Sequence, residues 1–499
     1  MDLFGNLLLG FEVALSPVNI LYCLIGALVG TLIGVLPGIG PIATISMLLP
    51  ITFHLPPVSA LIMLAGIYYG AQYGGSTTAI LVNLPGEASS VVTCIDGYQM
   101  ARKGRAGSAL AVAALGSLFA GCVATLILAG FAQPLASAAL LFGPAEYFSL
   151  MLFGLVLAVV LAQGNLVPAF GMIALGVLLG LAGSDVNTGA DRLTFGLLEL
   201  AEGVDFVPLA MGLYAIPEIV RNLERPEHRS VLHEKIQHLW PTREDFRRAW
   251  PATLRGTGIG SVLGILPGSG SMLASFSAYM LEKQISRRPQ EFGNGAVEGV
   301  AAPESANNAH AQTSFIPLLT LGIPPNAVMA LMAGAMTIQG IQPGPQVMTS
   351  KPDLFWGMIA SMWIGNVMLV VINLPLIRMW VALLQVPYRL LYVAILVFCC
   401  VGVYSVHSST FDVLLMMLFG LLGYAFGKWK LDAAPLLLAF ILGPMIEENL
   451  RRAMLISNGD PSVFVTQPIS LALLLAALAM IVVFSLPTVR RRRDAALEE

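Results

Sequence analysis

The chain has 499 residues, of which 57% are hydrophobic and only 11% charged, and its mean hydropathy is +0.80. Soluble domains carry about 25% charged residues, so this composition excludes a soluble enzyme or a nucleic-acid-binding protein and makes the chain a polytopic membrane protein. The formal net charge of -3 says little, because charge in such a chain is sorted by side of the membrane.

Residues 1–17 read as an interfacial segment. Met1 to Leu15 lacks a positive n-region and carries Asp2 and Glu12, so it is no ordinary cleavable signal peptide. The apolar run Val18–Leu55 follows and is broken by Gly34-Val35-Leu36-Pro37-Gly38-Ile39-Gly40. Beyond Pro56-Pro57, Ile67–Thr78 is polar for its depth, and Ser76–Ser90 holds a second break at Asn83-Leu84-Pro85-Gly86. After the basic cluster Arg102-Lys103-Gly104-Arg105, Gly107–Phe131, Pro144–Gln163 and Leu166–Gly183 read as spans. Ser184 to Gly203 then holds Asp185, Asp191, Glu199 and Glu202 against Arg192 alone, and Phe206–Val220 returns.

Arg221 to Arg255 is the longest polar stretch, with eight Lys/Arg against five Asp/Glu. The arm Pro251–Leu266 leaves it and ends in Gly264-Ile265-Leu266-Pro267-Gly268-Ser269-Gly270, the same G-x-L-P-G-x-G frame as the first break, 230 residues on. Ser271–Leu281 leads to Lys283, Arg287 and Arg288. Glu298–Thr313 is the most polar stretch of membrane-spanning length, and Ser314–Val328 holds a further break at Gly322-Ile323-Pro324-Pro325. The spans Leu354–Ile377, Leu390–Ser405, Phe411–Gly427, Ala433–Ile446 and Ile469–Leu486 follow, then the tail Arg490-Arg491-Arg492-Arg493.

Basic residues mark the cytoplasmic side. Arg102–Arg105, the 221–255 stretch and the arginine tail are therefore placed inside, and the acidic 184–203 loop outside. Arg451-Arg452 is the one discordance, since the count puts it outside. The halves also match one another. Asp205, Pro208, Leu209, Pro217, Ile219, Asn222 and Leu223 fall on Asp432, Pro435, Leu436, Pro444, Ile446, Asn449 and Leu450 at an offset of 227. Ser117, Gly121, Gly176 and Gly183 fall on Ser361, Gly365, Gly420 and Gly427 at 244, and the second breaks match at 239. Collinear matches of this kind indicate duplication. Equivalent ends fall on opposite sides, and Gln342–Asp353, which answers to the basic 102–105 cluster, holds a single Lys351. The expected fold is thus all-α, with about 10–12 membrane helices in two inverted repeats, 18–221 and 250–450. A basic linker, 222–249, joins them, and 451–499 supplies a final helix and tail.

Pro and Gly at membrane depth free backbone groups that survive only inside protein or along a wet cavity. Both flanks of Pro251–Leu281 are basic, so the segment reads as a re-entrant hairpin turning at Pro267–Gly270. By inversion Val18–Leu55 enters from the other side. The alternative, in which each arm is a complete kinked span, stays open. Ser76–Ser90 and Ser314–Val328 read as a second hairpin pair facing the first.

Such tips suit anions, because helix N-termini offer free N–H groups and partial positive charge, and glycine permits close approach. Candidate substrate contacts are Pro37, Gly38, Gly40, Pro267, Gly268, Ser269, Gly270 and Ser271 at the first breaks, and Ser76, Thr77, Asn83, Pro85, Gly86, Pro324, Pro325 and Asn326 at the second. Ser305, Asn307 and Asn308 join them from the polar run, where buried polar side chains are costly and usually functional. Glu87, Glu304, Asn308 and Thr320 are candidates for a coupling cation. His54 and His407 read as interfacial. The cysteines Cys23, Cys94, Cys122, Cys399 and Cys400 form no C-x-x-C pair and read as small apolar side chains. No H-E-x-x-H, P-loop or nucleophile elbow occurs, so neither an enzyme nor a structural metal site is expected.

The paired L-P-G-x-G motifs, the run Pro303-Glu304-Ser305-Ala306-Asn307-Asn308-Ala309 and Leu321-Gly322-Ile323-Pro324-Pro325-Asn326 resemble the large membrane subunit of tripartite tricarboxylate transporters, TctA. The likeness spans nearly the whole chain. It implies a small membrane subunit as partner, a periplasmic solute-binding protein that delivers substrate, and secondary uptake of carboxylates such as citrate across the bacterial inner membrane. The coupling cation would be Na+, or H+, with no other cofactor. The alternative reading is a channel or a membrane scaffold subunit.

Overall fold

A computed structural model describes residues 3–36, 40–139, 141–161, 166–185, 188–224, 240–383 and 388–485. Helices dominate it. The first half comprises α1 (Leu3–Ala14), α2 (Pro17–Val35), α3 (Pro41–Thr52), α4 (Pro57–Val82), α5 (Val91–Met100), α6 (Ala106–Ala139), α7 (Pro144–Leu161), α8 (Leu166–Gly180), α9 (Phe206–Ala210) and α10 (Ile216–Glu224). The second comprises α11 (Arg243–Ile265), α12 (Ser271–Ile285), α13 (Glu298–Thr313), α14 (Phe315–Leu321), α15 (Ala327–Ile338), α16 (Gln346–Ser350), α17 (Pro352–Asn373), α18 (Ile377–Leu383), α19 (Tyr388–His407), α20 (Thr410–Lys428), α21 (Ala434–Ile456), α22 (Val463–Thr466) and α23 (Pro468–Ser485). Strands β1 (Gly183–Ser184) and β2 (Asp191–Arg192) pair antiparallel in the acidic loop. Among the described residues, four helical segments are long and apolar enough to cross a bilayer: Pro17–Val35, Ala88–Leu135, Pro352–Asn373 and Thr410–Lys428. With the shorter apolar helices around them they make this an all-α membrane protein.

Local chemistry sets the boundaries. Pro stands at or beside the first helical position of α2, α3 and α4, where its missing N–H costs nothing. Thr242 and Asp245 form a reciprocal capping box on α11. Asn83 ends α4 and Gly322 ends α14, both in the left-handed conformation, at φ 59° and 76°.

Helix α4 is buried without interruption from Ser59 to Val82, and α13 from Gly299 to Thr313. Each is gripped through a row of glycines. A Cβ on Gly26, Gly30 or Gly34 of α2 would strike the carbonyl oxygens of Met63, Ile67 and Ala71. On α11, Gly256, Gly260 and Gly264 meet those of Ala302, Ala306 and His310 in the same way. Contact this close is how helices associate where lipid removes the hydrophobic drive between them. Around these pairs the halves exchange partners. Helix α6 lies on α13 and α11, whereas α17 lies on α4 and α2. Helix α8 packs on α21, whereas α20 packs on α9, α10 and the π-turn between them.

Three boundaries depart from expectation. The segment after Ser76 is no separate arm, because α4 runs unbroken from Pro57 to Val82; its Gly70 and Gly74 are pressed against α2, so they pack rather than break the helix. The span expected at Phe206–Val220 contains a π-turn, Met211–Ala215, where Gly212 backs onto Met416 and Phe419. Helix α21 runs on to Ile456, its last turns tied by the i,i+4 pairs Glu447–Arg451 and Glu448–Arg452. Arg451 also meets Asp185, which in turn pairs with Arg192, and Arg192 pairs with Glu447. The discordant arginine is thus matched by the acidic loop beside it.

Candidate functional site

Helix α13 carries the polar run at the centre of the molecule. Glu304, Asn307 and Asn308 stand three and four residues apart and so share one face, and His310 points elsewhere. Ala301, Ala302, Ala306 and Ala309 keep the helix slim enough for its neighbours to close in. Ser305 spends its hydroxyl on the Ala301 carbonyl of its own helix, at 2.7 Å.

The shared face meets the first half of the chain. Glu304, 1% exposed, accepts hydrogen bonds from Ser76 Oγ at 2.5 Å and from Thr93 Oγ1. Asn307 Nδ2 donates to Glu87 Oε1 at 3.0 Å, and Ser89 Oγ donates to the same carboxylate oxygen. Asn308 Nδ2 donates to Ser117 Oγ at 2.7 Å and to the Glu304 carbonyl at 3.0 Å. Both carboxylates are buried, and among the described residues neither has an ion-pair partner. Among the described residues, the Oδ1 atoms of Asn307 and Asn308 have no hydrogen-bond partner. The site is therefore rich in acceptors and short of positive charge.

The broken segments border this cluster. Gly86 is wedged so closely against the Gly34 carbonyl and Gly75 that no side chain would fit, and Thr78 Oγ1 donates to the Val35 carbonyl at 2.8 Å. In the second half, Gly268, at φ 81°, donates its N–H to the Pro325 carbonyl at 2.7 Å. Each half thus brings its two breaks together. His310 Nε2 lies 2.7 Å from the Ser269 carbonyl, a bond that puts the proton on Nε2. Gly40 and Gly270 start α3 and α12 with no side-chain cap, and a Cβ on either would meet nothing within 4 Å.

Pro37 and Gly38 lie outside the described residues. Thr77 is buried and Asn83 exposed, whereas Pro85, Pro267 and Ser271 are half-buried and Pro324 and Pro325 buried. Asn326 caps α15 by accepting from the Met329 N–H and donates to Ser314 Oγ. Thr320 bonds the Ile316 carbonyl of its own helix, and among the described residues it makes no hydrogen bond to either carboxylate. Sequence reasoning missed Thr93, Ser89 and Ser117, because a hydroxyl in a helix or turn reads the same in the sequence whatever it faces. Next to the cluster, Tyr73, Ser76, Thr77, Ser117, Asn373 and Ile377 help to line a cavity of about 10 Å³, near the lower limit for one water.

The fold and this buried, carboxylate-bearing site define a helical membrane protein with a polar centre shared by its two halves. Residues 20–438 match the Tripartite tricarboxylate transporter TctA family, and the chain belongs to that family. It is 60% identical over 494 residues, 99% of this chain and 98% of the relative, to a protein of Agrobacterium vitis described as "Uncharacterized 52.8 kDa protein in TAR-I ttuC' 3'region". It is 58% identical over 235 residues, 47% of this chain and 97% of the relative, to "Uncharacterized protein in TAR-II ttuC' 3'region" of the same organism. No solved structure matches the chain.

Proposed function

We propose that the chain is the large transmembrane subunit of a secondary importer that couples carboxylate uptake, tricarboxylates among them, to a cation gradient. The observation that carries this reading is the pair Glu87 and Glu304, buried with no basic partner among the described residues and ringed by Ser76, Thr93, Ser89 and Asn307. Buried negative charge is tolerated only when paired or neutralised. A Na+ or H+ that binds here removes the penalty and, in doing so, lowers the cost of bringing in an anion next to it. The uncapped N-termini at Gly40 and Gly270 supply donors for substrate carboxylates.

Two copies of one unit, inserted in opposite senses, account for the exchanged packing of α6 with α17 and of α8 with α20. On this reading residues 18–221 and 250–450 are the repeats, α2–α3 and α11–α12 are re-entrant hairpins entering from opposite sides, and substrate crosses by an elevator-like alternating movement. The chain would sit in the bacterial inner membrane with its C-terminus in the cytoplasm. A small membrane subunit and a periplasmic solute-binding protein would complete the system.

The test is uptake by proteoliposomes containing the whole complex, offered citrate and succinate with and without an inward Na+ gradient, and separately with a proton gradient. Saturable uptake that depends on one of the gradients is the expected result. No uptake of any organic acid, or ohmic conductance without saturation, rejects the reading, the second outcome in favour of a channel.

A further inference from the structure

A second polar cavity lies apart from the Glu87–Glu304 cluster. It is an open crevice of about 260 Å³ between the loop before α7, the α15–α16 connection and the C-terminal turns of α21. Its polar lining includes Gln342, Gln346, Glu448, Asn449 and Arg452. Helix α21 splits its charges between two directions here. Glu447 and Arg451 turn to the acidic loop, where two arginines and two carboxylates, Arg192, Arg451, Asp185 and Glu447, satisfy one another. Glu448 and Arg452 line the crevice instead. They pair with each other at 2.5 Å, with side chains 45% and 63% exposed. A guanidinium has five N–H donors, and one half-exposed carboxylate occupies few of them.

The crevice also touches the transport machinery. Its wall includes Leu321, Pro343 and Gly344, and the Pro343 carbonyl lies against the left-handed Gly322, where a Cβ would come within 2.7 Å of it. Three residues further on, Pro325 receives the hydrogen bond from Gly268. A ligand in the crevice therefore lies one backbone contact from the turn between α14 and α15.

We propose that this crevice is a capture site for a di- or tricarboxylate, which displaces Glu448 from Arg452 and takes further hydrogen bonds from the amides of Gln342, Gln346 and Asn449. The proposal rests on the transport reading and adds a waiting position ahead of the central site. Arg452 binds the anion by charge-assisted, bidentate hydrogen bonds, and Glu448 competes for the same donors. The two residues must then act in opposite directions, which a merely structural ion pair would not produce.

Two measurements test it. In proteoliposomes with the whole complex, Arg452→Gln is expected to raise the half-saturating concentration of citrate or succinate about tenfold with the maximal rate unchanged, and Glu448→Gln to lower it about threefold. In the purified chain with its five cysteines replaced, Gln346→Cys is expected to react with an impermeant maleimide more slowly when citrate or succinate is present. That protection is lost on adding Arg452→Gln. Labelling indifferent to both acids, or both variants shifting half-saturation in the same direction, overturns the capture site. Protection of the purified chain, with no acid uptake by the complex, would reject the transport reading and leave the crevice as a carboxylate site.

Discussion

Asn307 and Asn308 show how finely position matters within one helix. Asn307 reaches Glu87 and Asn308 reaches Ser117, so each ties the polar run to a different element of the first half. Asn307→Ala leaves the Glu87 carboxylate short of a donor, a loss of about 1–3 kcal/mol at a buried site. Uptake is expected to fall to background in Asn307→Ala and Asn308→Ala while membrane expression persists, as an uptake assay beside a quantitative blot would show. Glu304→Gln keeps the shape and removes the charge; its uptake should lose its dependence on the cation gradient, measured as the ratio of rates with and without Na+. Glu304 and the asparagines were legible in the sequence as a polar run of membrane-spanning length, and their burial in α13 removes the other reading of such a run, a solvated loop. Thr93 and Ser117 were not, since a single hydroxyl in an apolar helix looks the same whether it faces lipid or a carboxylate.

At the scale of elements, the glycine rows of α2 and α11 divide the G-x-L-P-G-x-G frame into two kinds of position. Its first glycine, Gly34 or Gly264, is a packing residue whose Cβ would strike the neighbouring helix, whereas Gly40 and Gly270 face open space. Gly34→Ala and Gly264→Ala are therefore expected to destabilise the protein by roughly 1–3 kcal/mol, and Gly40→Ala and Gly270→Ala to leave the melting temperature in detergent unchanged. Gly268→Val should be impaired for a different reason, because a β-branched residue is strained at φ 81°. Periodicity revealed that both runs were helical and broken, and Pro and Gly revealed where. It did not reveal that α4 runs through Gly70, Gly74 and Gly75 unbroken, because a glycine that breaks a helix and one that packs a helix are the same letter until the partner is in place.

For the whole molecule, the charged residues at its ends hold the two halves in contact. Asp245, on the first turn of α11, meets Arg105 and Ser108 at the start of α6. Burial by itself would raise its carboxyl, but the hydrogen bonds from Thr242 and Ser108 and the Arg105 guanidinium hold it below the usual carboxylate range. A carboxyl with a depressed folded value contributes stability above its unfolded pKa of about 3.9 and loses it as pH falls through the folded value. Thermal unfolding in detergent should then drop more steeply below about pH 4 in the wild type than in Asp245→Asn, which lacks the interaction at every pH. Lys103→Cys and Phe195→Cys, both at exposed positions, test the charge map itself: an impermeant maleimide should reach residue 103 only from the cytoplasmic side and residue 195 only from the opposite side of the membrane. The sequence by itself determined the class of protein, the helices and their breaks, the matched positions of the two halves and the polar run of α13, because hydropathy, helix-breaking residues and internal spacing are local properties of a chain. Only the tertiary structure decided that Glu87 and Glu304 share one buried cluster, that Thr93, Ser89 and Ser117 belong to it, and that each half packs its peripheral helices on the other. Those pairings depend on which backbones approach closely enough to bury a polar group, and that is fixed by contacts between residues some two hundred positions apart.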